Sequence, residues 1–159
     1  MSLKTSWWRC FLGLAPHPYL RAIEILRARY IEERQHVTRF TQHAQKMQYP
    51  QFREKLLSIA AEEAKHAEWI AEKINLLGGQ VPEVPAVPPT EQNSWQYLLT
   101  DLEEEKHCSE ELLEQIQTLR PELPQVAAVL QRIYEDGSKH RQTIREMLIR
   151  SDPQAVWPG

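Results

Sequence analysis

The chain has 159 residues, 42% of them apolar and 26% charged, which is enough for one domain with a real core and short for two. A net charge of −3 leaves no electrostatic footprint for a nucleic-acid partner. The two cysteines, Cys10 and Cys108, form no CxxC pair, which argues against a zinc ribbon, a rubredoxin-type iron site and a disulfide scaffold.

Residues 1–17 are apolar in patches, but Arg9 interrupts them and no membrane-length apolar run follows. They read as an N-terminal packing arm, with a membrane-touching segment as the lesser reading. Trp7, Trp8 and Phe11 are candidate contacts of a homodimer, or caps on one end of their own bundle. Nothing marks the chain for export, so a cytoplasmic location is expected.

The eleven prolines fall in clusters, and between the clusters lie four long stretches without proline, rich in helix formers. They predict helices over about 18–47, 50–77, 94–119 and 123–151. The fold class expected is all-α: a bundle over 18–151, followed by a C-terminal tail at 152–159. Short links join the first two helices and the last two, so each pair forms an antiparallel hairpin. The middle link, GGQVPEVPAVPPTEQN, opens on a glycine pair suited to a helix C-cap and continues as an extended proline run. At ~3.1 Å per residue it reaches about 45–50 Å, and a helix of this length spans about 42 Å. The link therefore runs the length of the bundle and lays the third helix parallel to the second.

The inward face of each helix follows steps of three and four residues. On the first helix the stripe reads Ile23, Leu26, Tyr30, Glu33, Val37, Phe40, Ala44, Met47. On the second it reads Phe52, Leu56, Ile59, Glu63, His66, Ile70, then Lys73 with Ile74 beside it, and Leu77. The third gives Trp95, Leu98, Leu102, Glu105, Ser109, Leu112, Ile116, Leu119, and the fourth Val126, Leu130, Ile133, Gly137, His140, Ile144, Met147. Near mid-stripe stand Glu33, Glu63, His66, Glu105 and His140. Unpaired carboxylates there would cost several kcal/mol each. Their heights agree, because Glu33 lies fifteen residues before Gln48 and Glu63 fifteen after it; Glu105 and Gly137 flank Pro121 at sixteen. Carboxylates and imidazoles converging at one level suit iron or manganese, with zinc as a substitute. Two further Glu-x-x-His pairs, Glu33/His36 and Glu104/His107, are read as decoys: His36 lies at the flank of its stripe and His107 lies off it, so solvated salt-bridging faces explain both.

The segment EAKHAEWIAEKINLLGG, 63–79, resembles the second helix of bacterioferritins. Glu33 followed by Phe40 and His43-Ala44, and DLEEE at 101–105, are similar to the family's first and third helix motifs. Over about residues 18–150 the chain thus resembles the rubrerythrin and bacterioferritin branch of the ferritin-like superfamily. The resemblance implies a two-metal site, two iron ions above all, with one glutamate on each of the first and third helices and Glu-x-x-His on the second and fourth. Glu33 and His66 would hold one metal and Glu105 and His140 the other, with Glu63 bridging.

The departure is Gly137, which stands where the second bridging glutamate would be and costs ~1 kcal/mol against alanine inside a helix. Three readings stay open. Water or an external anion replaces the bridge, Asp136 reaches in through a local shift of the helix, or the site binds one metal or none. Tyr30 and Tyr134 lie near the site in sequence, as redox-active or packing side chains. No catalytic residue is assigned.

The functions implied are a di-metal oxidoreductase acting on dioxygen or peroxide, or ferritin-type oxidation of ferrous iron. The alternative is a metal-free, degenerate bundle acting as an interaction module. A homodimer or higher homo-oligomer and a separate electron-donor protein are the expected partners.

Overall fold

The computed structural model describes residues 17–151. They form four helices: α1 (Pro18–Lys46), α2 (Pro50–Leu76), α3 (Ser94–Leu119) and α4 (Pro124–Arg150). Proline opens α1, α2 and α4 in the first turn, where its missing N–H is lost at no cost. The exception, α3, starts on a capping box in which Asn93 and Gln96 satisfy each other's backbone N–H. The residue arms at 1–16 and 152–159, with Trp7, Trp8 and Phe11, lie outside the described residues.

At the end of α2 the Gly79 N–H donates to the Ile74 carbonyl at 2.9 Å, and Gly78 takes φ 82°, a Schellman closure. Gly79 is needed for a different reason. A Cβ there would lie 2.8 Å from Ile23 Cγ2 on α1. The chain then runs along α1 as an extended strap. Arg27 Nη1 donates to the Gln80 carbonyl at 2.6 Å, Gln35 Nε2 to Pro85 at 3.4 Å and Gln42 Nε2 to Val87 at 3.3 Å. Tyr97 of α3 donates to the Thr90 carbonyl, which fixes the far end.

The helices pack as the two hairpins α1–α2 and α3–α4, with α1 beside α3 and α2 beside α4. This is the crossover bundle expected from the sequence. Two apolar clusters fill it. One, around Leu26, Ile70, Ile74, Leu112, Ile116 and Leu130, lies toward the α3–α4 turn; the other, around Phe40, Met47, Leu56, Leu98, Ile144 and Met147, lies toward the α1–α2 turn. Among the described residues no helix is long and apolar enough to cross a membrane.

The inward stripe of α1 differs from the expected one. Its buried residues are Ala22, Leu26, Arg29, Glu33, His36, Phe40 and the pair His43–Ala44, whereas Ile23, Tyr30 and Val37 are half-buried. The physical reason is that α1 is covered on two sides, by the bundle and by the strap, so its apolar residues are shared between two faces. The face toward α3 is polar instead. Fully buried Arg29 lies 2.6 Å from Glu32 and 3.1 Å from Glu111, and its Nη1 donates to Cys108 Sγ at 2.8 Å. Higher up, His43 Nδ1 meets the Asp101 carboxylate at 2.7 Å.

Candidate metal centre

Between the two apolar clusters the four helices deliver Glu33, Glu63, His66, Glu105 and His140 to one buried layer, each no more than 3% exposed. All five come from the expected stripe positions. Glu63 lies at the middle. Its Oε2 is 2.9 Å from His66 Nδ1 and its Oε1 is 3.1 Å from His140 Nδ1, so each oxygen faces one imidazole. Glu33 Oε2 approaches His66 Nδ1 at 3.5 Å, and Glu105 Oε1 approaches His140 Nδ1 at 3.7 Å. The two rings stack with centroids 6.0 Å apart.

Each imidazole is held from behind. His66 Nε2 faces Asp136 at 3.5 Å, and His140 Nε2 faces Glu62 at 2.9 Å. Glu62 and Asp136 hold equivalent places, one residue before Glu63 and one before Gly137. A carboxylate behind a histidine fixes its tautomer and ring orientation, so here Nδ1 is left to face the layer. Asp136 therefore does not take the place opened by Gly137. Lys139 at 2.7 Å and Arg132 at 3.1 Å hold it on the outer side of His66, and α4 continues unbroken past the glycine.

Electrostatics in the layer are those of a proton-filled ligand set. Burial pushes Glu63 up, and the neighbouring Glu33 charge pushes it further. Burial also acts against Glu33, but contact with Glu63 and His66 outweighs it and holds Glu33 below the usual carboxylate range. Glu105 is held down in the same way, mainly by His140. Burial disfavours the imidazolium forms, yet the carboxylates facing them raise His66 to about 10 and His140 to about 11. Without a cation, then, protons compensate the carboxylates.

The compensation is incomplete. Both oxygens of Glu33, Oε1 of Glu105 and Nδ1 of His140 are buried without a hydrogen-bond partner, which is rare in folded proteins. Two overlapping groups offer donor atoms within 4.8 Å of one another: Glu33, His36 and Glu63, and Glu63, Glu105 and His140. Glu63 belongs to both. Hard oxygen and imidazole donors with unsatisfied lone pairs fit two divalent ions of the iron, manganese or zinc type.

His36 corrects the expectation that its Glu-x-x-His pair is a solvated face. It is 6% exposed and belongs to the layer. The α1 helix is rotated relative to the apolar reading, and that rotation brings His36 inward. The other decoy stays outside: the His107 side chain is 70% exposed and pairs with Glu111 at 3.2 Å. Tyr134, with Cys108, Ser109, Gly137 and Arg141, lines a cavity of about 10 Å³ whose walls also include Glu33, Glu63, His66 and Glu105, room for one water at most. Tyr30 packs against the apolar cluster below.

A model of the ferritin-like domain matches residues 40–151. The chain belongs to the ferritin-like family. The match starts after Glu33 and His36, so the places of those two residues rest on geometry. Among solved structures, a ferritin-like di-iron carboxylate protein from Bacillus anthracis superimposes with a TM-score of 0.76 at 17% identity, over 84% of this chain and 99% of that one. A Desulfovibrio desulfuricans bacterioferritin with a di-iron site gives 0.76 at 22% identity, over 84% and 81%. A Mycobacterium tuberculosis bacterioferritin gives 0.72 at 20%, over 82% and 85%. No functionally curated protein matches the chain in sequence.

Proposed function

We propose that this ferritin-like chain binds two iron ions, or manganese or zinc in their place, through Glu33, Glu63, His66, Glu105 and His140. It acts as an oxidoreductase on dioxygen or peroxide, or on ferrous iron. The observation that carries this reading is the buried layer itself: carboxylates and imidazoles from all four helices centred on Glu63, with orphaned atoms on Glu33, Glu105 and His140. When bound, the ion pair supplies redox chemistry and open coordination positions.

The chain's own residues have separable roles. Glu63 spans both positions, while Asp136 and Glu62 orient the imidazoles. The apolar clusters above and below keep water out. Gly137 removes a bulky side chain beside Glu105 and Arg141, and leaves the place where an external ligand enters. Loading must displace the protons that the facing carboxylates favour on His66 and His140. A separate protein supplies electrons, and the chain works as a homo-oligomer.

A metal-free interaction module is the second reading, favoured by the glycine at a position where the family pattern has a ligand. Metal analysis of protein made in iron- and manganese-supplemented medium decides between them. Close to two ions per chain supports the first reading, and a chain that folds and purifies without metal supports the second.

A further inference from the structure

We infer that His36 is a further metal ligand, and that it makes the two metal positions unequal. The inference rests on the di-metal reading above. The contrast that carries it lies on one helix. His43 and His36 are seven residues apart on α1 and both are buried. His43 has a carboxylate of its own, Asp101, at 2.7 Å, and is thereby a satisfied core histidine. His36 has none: among the described residues no carboxylate comes within the 4.0 Å of an ion pair, yet a ring nitrogen lies within 4.8 Å of donor atoms of both Glu33 and Glu63. That separation is too long for a shared proton. Donors on one ion with bonds of about 2.0–2.2 Å lie at most about 4.4 Å apart, so a small closing of the side chains brings His36, Glu33 and Glu63 onto one ion.

His36 also lines an outer cleft of about 220 Å³ between α1 and α3, with Glu32, Glu104 and Glu111 on its walls. These carboxylates are paired with Arg29 and Arg39, so the cleft is an approach to His36 from outside and not a second cation site. The position in the α1–α2 half then has Glu33, His36, His66 and a share of Glu63. The position in the α3–α4 half has Glu105, His140 and a share of Glu63. With one protein ligand more, the first position has one place fewer for water or an external ligand. The two positions therefore differ in affinity.

The test is titration of the metal-free full-length chain with Co(II), followed by its visible absorption, for wild type, His36→Ala, His36→Gln, His66→Ala and His107→Ala. The wild type takes up two ions of unequal affinity. Both His36 variants weaken the tighter of the two by at least ~tenfold and leave the other, while His107→Ala behaves as wild type. X-ray absorption on the wild type reads the same claim without a variant, as three imidazoles shared by two ions. Two imidazoles, or His36 variants that bind like wild type while His66→Ala loses an ion, overturn the role of His36 and leave the di-metal reading standing. A wild type that takes up no Co(II) overturns both.

Discussion

The two hairpins contribute to the metal layer in different ways. In α1–α2 both helices carry a carboxylate and an imidazole three residues apart, Glu33/His36 and Glu63/His66. In α3–α4 the same spacing holds Glu105/Cys108 and Gly137/His140, so each helix keeps one donor of its pair. The small cavity follows this division, since most of its lining (Cys108, Ser109, Leu112, Ile133, Tyr134, Gly137, Arg141) comes from the second hairpin. The layer is thus richer in donors on one side than on the other.

The largest effect expected from breaking that division comes at its centre. Glu63→Ala removes the one carboxylate common to both halves, so metal content by elemental analysis falls to near zero. Retention of one full ion would show that the halves do not share it. Next in size are the two histidines facing Glu63. His66→Ala and His140→Ala each lose about one ion per chain, and their spectra differ because they empty different halves.

Gly137→Glu sharpens the comparison by adding a donor to the half that has fewer. A Cβ at Gly137 would lie 3.3 Å from Glu105 Oε2 and 3.6 Å from Arg141 Nη1, atoms at the ends of side chains that can give way. The variant therefore folds, and glutamate is the better helix former by up to ~1 kcal/mol. Loaded with iron, its thermal midpoint rises relative to wild type, because tighter binding stabilises the folded state. Without metal the gain shrinks or reverses through repulsion by Glu105. Equal destabilisation in both states would mean that the glycine serves close packing alone.

A smaller effect is the pH dependence of the metal-free chain. His66 and His140 are raised to about 10 and about 11 from an ordinary value of 6.5. The stability that they contribute is full below pH 6.5 and is lost as pH rises through 10 to 11. Glu63, raised from 4.5, acts in the same direction. Thermal midpoints of the metal-free protein therefore fall between pH 6.5 and 10, and metal loading flattens the slope by taking the place of the protons. A midpoint that rises across this range in the metal-free protein would contradict the proton-filled layer.

Much of this was legible in the sequence. The prolines placed the helix ends to within a residue or two, because proline suits a first turn or a linker and little else. On α2, covered by the bundle on one face, the apolar stripe identified Glu63 and His66 without ambiguity. On α1 the same method assigned Ile23, Tyr30 and Val37 to the inward face. Ile23 lies beside Gly79 of the strap and Tyr30 packs at the edge of the lower apolar cluster, while Arg29, His36 and His43 take the inner places. A stripe read from hydrophobicity cannot find a face whose burial is satisfied by ion pairs. Glu62 escaped notice because a half-exposed glutamate beside another glutamate looks like solvated surface. Its signal was positional, as the partner in register to Asp136.

The most direct test of a shared, two-ion layer is anomalous X-ray diffraction from crystals of the full chain loaded with iron or manganese. The account predicts two anomalous peaks between the apolar clusters, one beside Glu33 and His66 and one beside Glu105 and His140, with Glu63 touching both. A single peak away from Glu63, or none in crystals grown from metal-saturated protein, would contradict it.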